Sequence, residues 1–120
     1  MTEREYVDYV RDMLDAVDKA ARFVAGMDYD AFAADDKTVF AAIRALEVIG
    51  EACRQLPEEV RAAHPGVPWR SIAGTRDRLI HRYFGVDLEV VWKTVQDDLP
   101  PLKSVLERIL AEYAGPTDQG

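Results

Sequence analysis

The chain is poor in the residues that build disulfides and metal centres. Its 120 residues include one cysteine, Cys53, and two histidines, His64 and His81. A single thiol cannot form an internal disulfide, which is typical of proteins kept in a reducing compartment. Neither histidine has a Cys or His partner at the spacing of metal ligands, so we expect no metal and no cofactor. Cys53 lies on an apolar helical face, which favours a core residue over a nucleophile.

The sequence also has no long apolar run, low-complexity segment or strand-like alternation. No stretch approaches the roughly 20 apolar residues that span a membrane, and the N-terminal residues Thr2–Tyr6 do not resemble a secretory signal. We therefore expect a cytoplasmic protein without a membrane partner. Its hydrophobic content of 48% and charged content of 31% are ordinary for a soluble globular domain.

Helical periodicity is the dominant pattern. Apolar residues at spacings of three and four predict helices over about 3–25, 36–56, 57–63 and 69–84, then one that begins after Asp87, is interrupted at Asp98–Pro101 and is followed by a last helix. In the second helix, Gly50 costs about 1 kcal/mol relative to alanine, which indicates that another helix passes close by. We predict an all-α up-and-down bundle of four long helices with short additional helices. A single domain is expected over 1–114, with a flexible tail at 115–120.

The helix predicted over 69–84 carries an arginine in the middle of its apolar face. On a helical wheel, one arc of roughly 140° holds Leu79, Tyr83, Arg76, Ile80 and Phe84. A guanidinium keeps its charge, so burial without partners is costly. Two interpretations remain open: Arg76 snorkels or forms an internal ion pair, for which Glu51 is a candidate, or the face lines a cleft that binds an anion.

Further polar residues on this helix favour the second interpretation. Asp77 precedes His81 by four positions, the spacing at which a carboxylate can orient an imidazole. Tyr83 adds a phenol within two turns. Arg76 and His81 are about 140° apart on the wheel, so one straight helix does not bring them together. Either the long arginine reaches round, or a second copy of the helix completes the site.

Positive charge is concentrated on the same stretch. The formal net charge of the chain is -7, which argues against non-specific nucleic-acid binding over the whole surface. Residues 69–84 nevertheless contain four arginines and one aspartate, a net +3, so the rest of the chain carries -10. This distribution fits an anionic ligand held at one place.

These residues resemble a known family. The run Arg76-Asp-Arg-Leu-Ile-His81-Arg-Tyr83 is similar to the Arg-x4-His-x-Tyr signature of the HepT-like proteins, which belong to the HEPN superfamily of small helical ribonucleases. The order and spacing of other segments also match, from residue 3 to about 113: Ala45–Ala52, His64-Pro65, Pro68-Trp69, Tyr83–Asp87, Val91-Trp92 and Asp98–Pro100.

The resemblance implies a HEPN-type bundle and a metal-independent endoribonuclease that is the toxin of a toxin–antitoxin pair. RNA supplies its own nucleophile, the 2′-hydroxyl, so the enzyme needs a base, an acid and a charge for the phosphorane. His81, with an ordinary pKa near 6.5, can move the proton, and Arg76 can stabilise the charge. Asp77 is expected to support His81. One histidine cannot easily act on both sides of the phosphorus, which favours a homodimer with a composite site, as the resemblance also implies.

The resemblance gives Tyr83 a separate role. In HepT-like toxins the tyrosine of the signature accepts AMP from a cognate minimal nucleotidyltransferase, the antitoxin. The substrate would be an RNA such as tRNA or mRNA, with Arg70, Arg78 and Arg82 as candidate contacts. For Arg78 and Arg82 a solvated surface is an equally good interpretation. Two other classes stay open: a non-catalytic nucleotide-binding or partner-binding module, and a purely structural dimerisation bundle.

Overall fold

A computed structural model describes residues 3–75 and 87–114 of the protein. These residues form helices joined by short turns, with no strand among them. In chain order the helices are α1 (Glu3–Val24), α2 (Tyr29–Ala33), α3 (Asp36–Arg54), α4 (Glu58–Ala62), α5 (Trp69–Ala73), α6 (Leu88–Lys93), a π-helical turn (Thr94–Asp98) and α7 (Leu99–Ala114). The predicted all-α fold is confirmed.

The core forms where α1 packs along α3 and α7 packs on α1. In α1 the apolar residues recur every three or four positions, and Val10, Met13 and Val17 are buried. Leu14 is half-buried, as expected at the edge of this stripe. The sequence pattern also predicts Ala21 in this stripe, and this is wrong: Ala21 is exposed, whereas its neighbour Ala20 is fully buried.

Aspartate side chains begin three of the helices. The Asp28 carboxylate accepts a hydrogen bond from the Ala31 amide at 2.8 Å at the start of α2. Asp35 accepts one from the Thr38 amide at 3.2 Å at the start of α3. Asp87, which the sequence predicts as a cap, does the same at α6. These contacts satisfy amides that have no partner within the first turn of a helix.

The interruption predicted at Asp98–Pro101 is wrong. The chain stays helical from residue 88 to residue 114, and a π-helical turn stands where the break was expected. In that turn the Leu99 amide donates to the carbonyl of Thr94, five residues back. Pro100 and Pro101 then fall in the first turn of α7, where a missing N–H is tolerated.

Two predictions concern chain segments that the structure does not cover. The tail at 115–120 lies outside the described residues, and so does most of the helix predicted over 69–84. Within the described residues, the prediction of one continuous helix from 69 is wrong: α5 ends at Ala73, where the Gly74 amide donates a hydrogen bond to the Arg70 carbonyl. The division into one domain over 1–114 stays a prediction. No helix within the described ranges has the length and apolarity that crossing a membrane requires.

Candidate functional site

The residues of the Arg-x4-His-x-Tyr signature all lie outside the described residues. They are Arg76, Asp77, Arg78, His81, Arg82 and Tyr83. The structure describes the frame on both sides of this segment: α5 and Thr75 before it, Asp87 and α6 after it. Their predicted roles are therefore still predictions, and Arg70 is the one predicted contact residue that can be placed.

The frame before the signature is held by a close approach of α5 to α3. A Cβ atom built on Gly50 would lie 3.2 Å from the carbonyl oxygen of Ile72 and 3.5 Å from that of Ala73. A side chain at residue 50 would therefore require the α5 backbone to move away by a few tenths of an ångström. The prediction that a helix passes close to Gly50 is confirmed, and that helix is the one that leads into the signature.

Trp69 anchors the start of α5. Its side chain is 8% exposed and belongs to the core, and its Nε1 donates a hydrogen bond to the His64 carbonyl at 2.9 Å. The turn from 64 to 68 is thereby tied to the first residue of α5. The sequence, in which Trp69 directly follows the turn His64–Pro68, predicts that Trp69 anchors this turn to the core, and these contacts confirm it.

Cys53 lies beneath the same turn. It is fully buried, and its Sγ lies 3.7 Å from the Trp69 carbonyl oxygen, which accepts a weak hydrogen bond from the thiol. Burial raises the pKa of Cys53 to about 11, against a smaller opposing effect of Arg61 and Arg54. A thiol that stays protonated at neutral pH is a poor nucleophile. The prediction that Cys53 is a core residue is confirmed.

Fixed residues stand at both borders of the segment 76–86. Thr75 is 1% exposed, and its hydroxyl donates to the Ser71 carbonyl at 3.1 Å. Asp87 accepts hydrogen bonds from the amides of Glu89 at 3.1 Å and Val90 at 3.3 Å. The segment 76–86 is therefore preceded by a packed residue, Thr75, and followed by a capped helix start at Asp87.

A groove rich in arginine opens beside α5. Its volume is about 700 Å³. The lining residues are Arg54, Glu58, Arg61, Ala62, Trp69, Arg70, Ala73 and Gly74. Arg70 was predicted as an RNA contact, whereas Arg54 and Arg61 were not, because nothing in the sequence places them beside Arg70. We call this feature the arginine groove.

A second groove, between α1 and α3, contains Glu51 together with Tyr9, Asp12 and Arg44. Arg44, which lines this groove, pairs with Glu47 one turn along α3 at 3.7 Å. Glu51 is exposed at the mouth of this groove. Its role as a partner of Arg76 stays a prediction, since Arg76 lies outside the described residues.

The described histidine is part of the packing. The ring of His64 is only 11% exposed, and its Nε2 lies 3.8 Å from the Glu112 carboxylate on α7. Its backbone carbonyl receives the Trp69 hydrogen bond. Over residues 3–75 and 87–114, no group of three His, Cys, Asp or Glu side chains is arranged to hold a metal ion.

Comparison with known proteins adds a family relationship. Residues 13–109 match the HepT-like family, described as "Ribonuclease HepT-like". The chain is 45% identical over 107 residues to the "Probable ribonuclease HepT" of Thermococcus cleftensis, covering 89% of this chain and 97% of that protein. It is 36% identical over 115 residues to the "Putative RNase MJ1216" of Methanocaldococcus jannaschii, covering 96% and 95% of the two chains.

A bacterial protein is similar over the same length. The "Putative RNase TTE0752" of Caldanaerobacter subterraneus is 38% identical over 109 residues, which cover 91% of this chain and 95% of that one. No solved structure matches the chain significantly. The similarity to the three relatives extends over nearly their whole length, so it concerns the complete helical unit and not a shared fragment.

Proposed function

The chain belongs to the HepT-like ribonuclease family, and on this basis we propose that it is a metal-independent endoribonuclease that cleaves RNA through Arg76 and His81. The observation that carries the proposal is the complete Arg-x4-His-x-Tyr signature, which lies within the span matched by the family. The described frame supports it, because α5 and α6 hold both ends of that segment in fixed positions.

The proposed chemistry uses the nucleophile that RNA itself carries. His81 takes the proton of a 2′-hydroxyl, and the oxygen attacks the adjacent phosphorus. The bond to the 5′-oxygen breaks as the protonated His81 of a second copy gives that oxygen a proton. Arg76 stabilises the negative charge that develops on the phosphorane, a contribution worth about 3 kcal/mol in comparable sites. Asp77 positions His81, and the products end in a 2′,3′-cyclic phosphate and a 5′-hydroxyl.

We propose that the active unit is a homodimer. The attacking and leaving oxygens lie on opposite sides of the phosphorus, so one imidazole cannot serve both in a single step. Two signature segments facing each other would supply two histidines and two arginines. Light scattering with the active protein tests this proposal: a monomer that retains full activity at the assay concentration would contradict it.

We further propose that the protein is a cytoplasmic toxin with a nucleotidyltransferase antitoxin as its partner. The antitoxin would transfer AMP to Tyr83. Each AMP brings about one negative charge and a bulky nucleoside into a site built for a phosphate, and so excludes RNA by charge and by size. A gene for a small nucleotidyltransferase next to the gene for this chain would support the pairing.

Cleavage assays with single variants test the enzyme. We expect Arg76→Ala and His81→Ala to lose cleavage of total RNA at unchanged unfolding midpoints. Arg11→Ala is the matched control for charge, because Arg11 is exposed on α1 and pairs only with Asp8, at 3.6 Å, among the described residues. His64→Ala is the control for the imidazole, since the backbone contact of His64 with Trp69 is retained.

The acidic surface favours one alternative, a binding module without catalysis. A net charge of -7 repels long RNA away from the arginine-rich stretch. A wild-type protein that binds RNA or a phosphate ligand but leaves the RNA intact would support the module. Cleavage that is lost in both variants and kept in both controls would support the enzyme.

A further inference from the structure

The arginine groove gathers positive charge from three separate helices. Arg54 is the last residue of α3, Arg61 lies in the last turn of α4, and Arg70 lies on α5. Glu58 is the one acidic side chain among the described residues of the lining. The described lining is therefore net positive, in a chain whose net charge is -7.

Several cations elsewhere on the described surface are paired with carboxylates. Arg11 pairs with Asp8, and Lys19 pairs with Asp15 at 2.8 Å. Lys103, on α7, pairs with Asp18 at 3.0 Å. Among the described residues, by contrast, no carboxylate lies within ion-pair distance of Arg61 or Arg70. Within the described part of the chain, nothing therefore neutralises these two guanidinium groups.

Arg61 has a donor that the fold leaves unused. Its Nε is buried and has no hydrogen-bond partner among the described residues. Buried donors are almost always satisfied in folded proteins, and an exception calls for an explanation such as a bound ion. The residue is half-buried, so the walls of the groove restrict its side chain. A phosphate oxygen entering the groove would supply the acceptor after a small rotation of the guanidinium.

The position of the groove relates it to the signature. Gly74, the last lining residue, is two positions before Arg76, and two residues of chain span at most about 7 Å. The groove therefore lies next to the place where the chain enters the signature. The geometry points to the arginine groove as the binding site for phosphates of the RNA that flank the scissile one, with Arg61 and Arg70 as contacts and Arg54 at the rim. This inference rests on the proposed function.

The lining also indicates how the RNA is recognised. Trp69 borders the groove, but its ring lies in the core and its Nε1 is engaged by the His64 carbonyl. It is therefore a wall of the groove and no platform on which a base can stack. Contacts of a guanidinium with a phosphate carry no sequence information. If the groove binds phosphates only, it strengthens RNA binding equally for all sequences.

Helix ends offer a structural explanation for the same arginines. A cation in the last turn of a helix interacts favourably with the partial negative charge of the carbonyls there. This effect is small here, because α4 and α5 have only five residues each. The two explanations differ in what they predict: a helix-end role changes stability, whereas a phosphate contact changes RNA affinity and its salt dependence.

Binding of a short single-stranded 2′-O-methyl RNA tests the inference, because this probe has no free 2′-hydroxyl and is not cleaved. We expect Arg61→Gln and Arg70→Gln each to weaken binding about tenfold, as the loss of one charge-assisted contact does. The dependence of log Kd on log salt should flatten by about 0.7 for each contact removed. Arg11→Gln, which removes the same charge from exposed α1, should change neither.

Each outcome has a distinct meaning. If wild-type protein cleaves RNA and the Arg61→Gln/Arg70→Gln double variant keeps the salt dependence of Arg11→Gln, the groove inference is wrong while the proposed function stands. If wild-type protein binds the probe through the groove but never cleaves natural RNA, the enzyme is wrong and the groove stands. If wild-type protein neither binds nor cleaves RNA, both are wrong.

Poly-glutamate serves as the second probe, for an acidic protein partner. The inference is overturned if the double variant loses poly-glutamate binding while its RNA affinity equals that of Arg11→Gln. That result would assign the groove to an acidic protein partner. Arg70→Gln guards against misfolding of the double variant, because Arg70 is exposed and its replacement leaves the walls of the groove intact.

Discussion

Gly50 on α3 and the carbonyl oxygen of Ile72 on α5 are in direct contact: a Cβ atom added to Gly50 would stand 3.2 Å from that oxygen. Because the contact is with backbone, no side-chain rotation can relieve it. The distance between α3 and α5 is thereby fixed four residues before Arg76. Gly50 therefore sets the position of α5, the helix that precedes the signature.

Replacing Gly50 with alanine should destabilise the protein. Alanine gains about 1 kcal/mol in helix propensity, but overpacking against a backbone carbonyl costs about 1–3 kcal/mol. We expect a net loss of about 1 kcal/mol in the free energy of unfolding, measured by denaturant titration. Gly66→Ala is the control, since no atom lies within 4 Å of a Cβ built there. A Gly50→Ala protein more stable than wild type would show that α5 moves away freely.

The thiol of Cys53 should make stability fall at high pH. Burial raises its pKa from 9.0 to about 11. Between these values the unfolded chain loses the proton while the folded protein keeps it, so rising pH favours unfolding. The contribution of the protonated thiol to the free energy of unfolding is fully present below pH 9, and it decreases by about 3 kcal/mol as the pH approaches 11. We expect the stability advantage of wild type over Cys53→Ala to shrink by that order across this range.

The same burial should protect Cys53 from reagents. Native protein at neutral pH should react with a thiol-specific disulfide reagent only through unfolding, whereas protein in denaturant should react at once. Rapid labelling of the native state would contradict the burial and the high pKa together.

RNA cleavage should not depend on a metal ion. The proposed chemistry uses only Arg76, His81 and the 2′-hydroxyl of the substrate, so EDTA should leave the rate unchanged. The 3′ ends of the products should be 2′,3′-cyclic phosphates, which mass spectrometry of a defined RNA would identify. Activity that disappears with chelator and returns with a divalent cation would require a different mechanism.

Tyr83 should be the residue that the antitoxin modifies. Protein co-expressed with a neighbouring nucleotidyltransferase should gain mass in AMP-sized steps, on the peptide that contains Tyr83, and should lose RNA cleavage. Tyr83→Phe should gain no such mass and should stay active in the presence of the antitoxin. Unmodified Tyr83 in an inhibited complex would instead indicate inhibition by binding alone.

Much of the frame could be predicted from the sequence because single residues determine it locally. Asp87 precedes an apolar stripe and caps it, and Gly50 interrupts a helix where another backbone approaches. Cys53 and Trp69 lie at apolar positions and are buried. Each of these predictions needed only the period of a helix or the chemistry of a cap.

Features that depend on the relation between distant segments could not be predicted in this way. The arginine groove exists because α3, α4 and α5 end near one another, and nothing in the spacing of Arg54, Arg61 and Arg70 shows this. The helix through Asp98–Pro101 was missed because two prolines normally end a helix. A π-helical turn changes the hydrogen-bond pattern just before them, and sequence periodicity does not reveal it. Sequence periodicity likewise does not reveal that α5 ends at Ala73.

The π-helical turn at Thr94–Asp98 holds one residue more than an α-helical turn would. Val95 and Leu99, four positions apart across it, are both buried, while Gln96 and Asp97 between them are exposed. The additional residue of the π-helical turn therefore faces solvent, and the buried side of the helix keeps its packing. Loss of a single codon at 96 or 97 would convert the bulge to ordinary helix and leave both flanking registers in place. The helix can therefore lose one residue at this turn and keep its buried contacts.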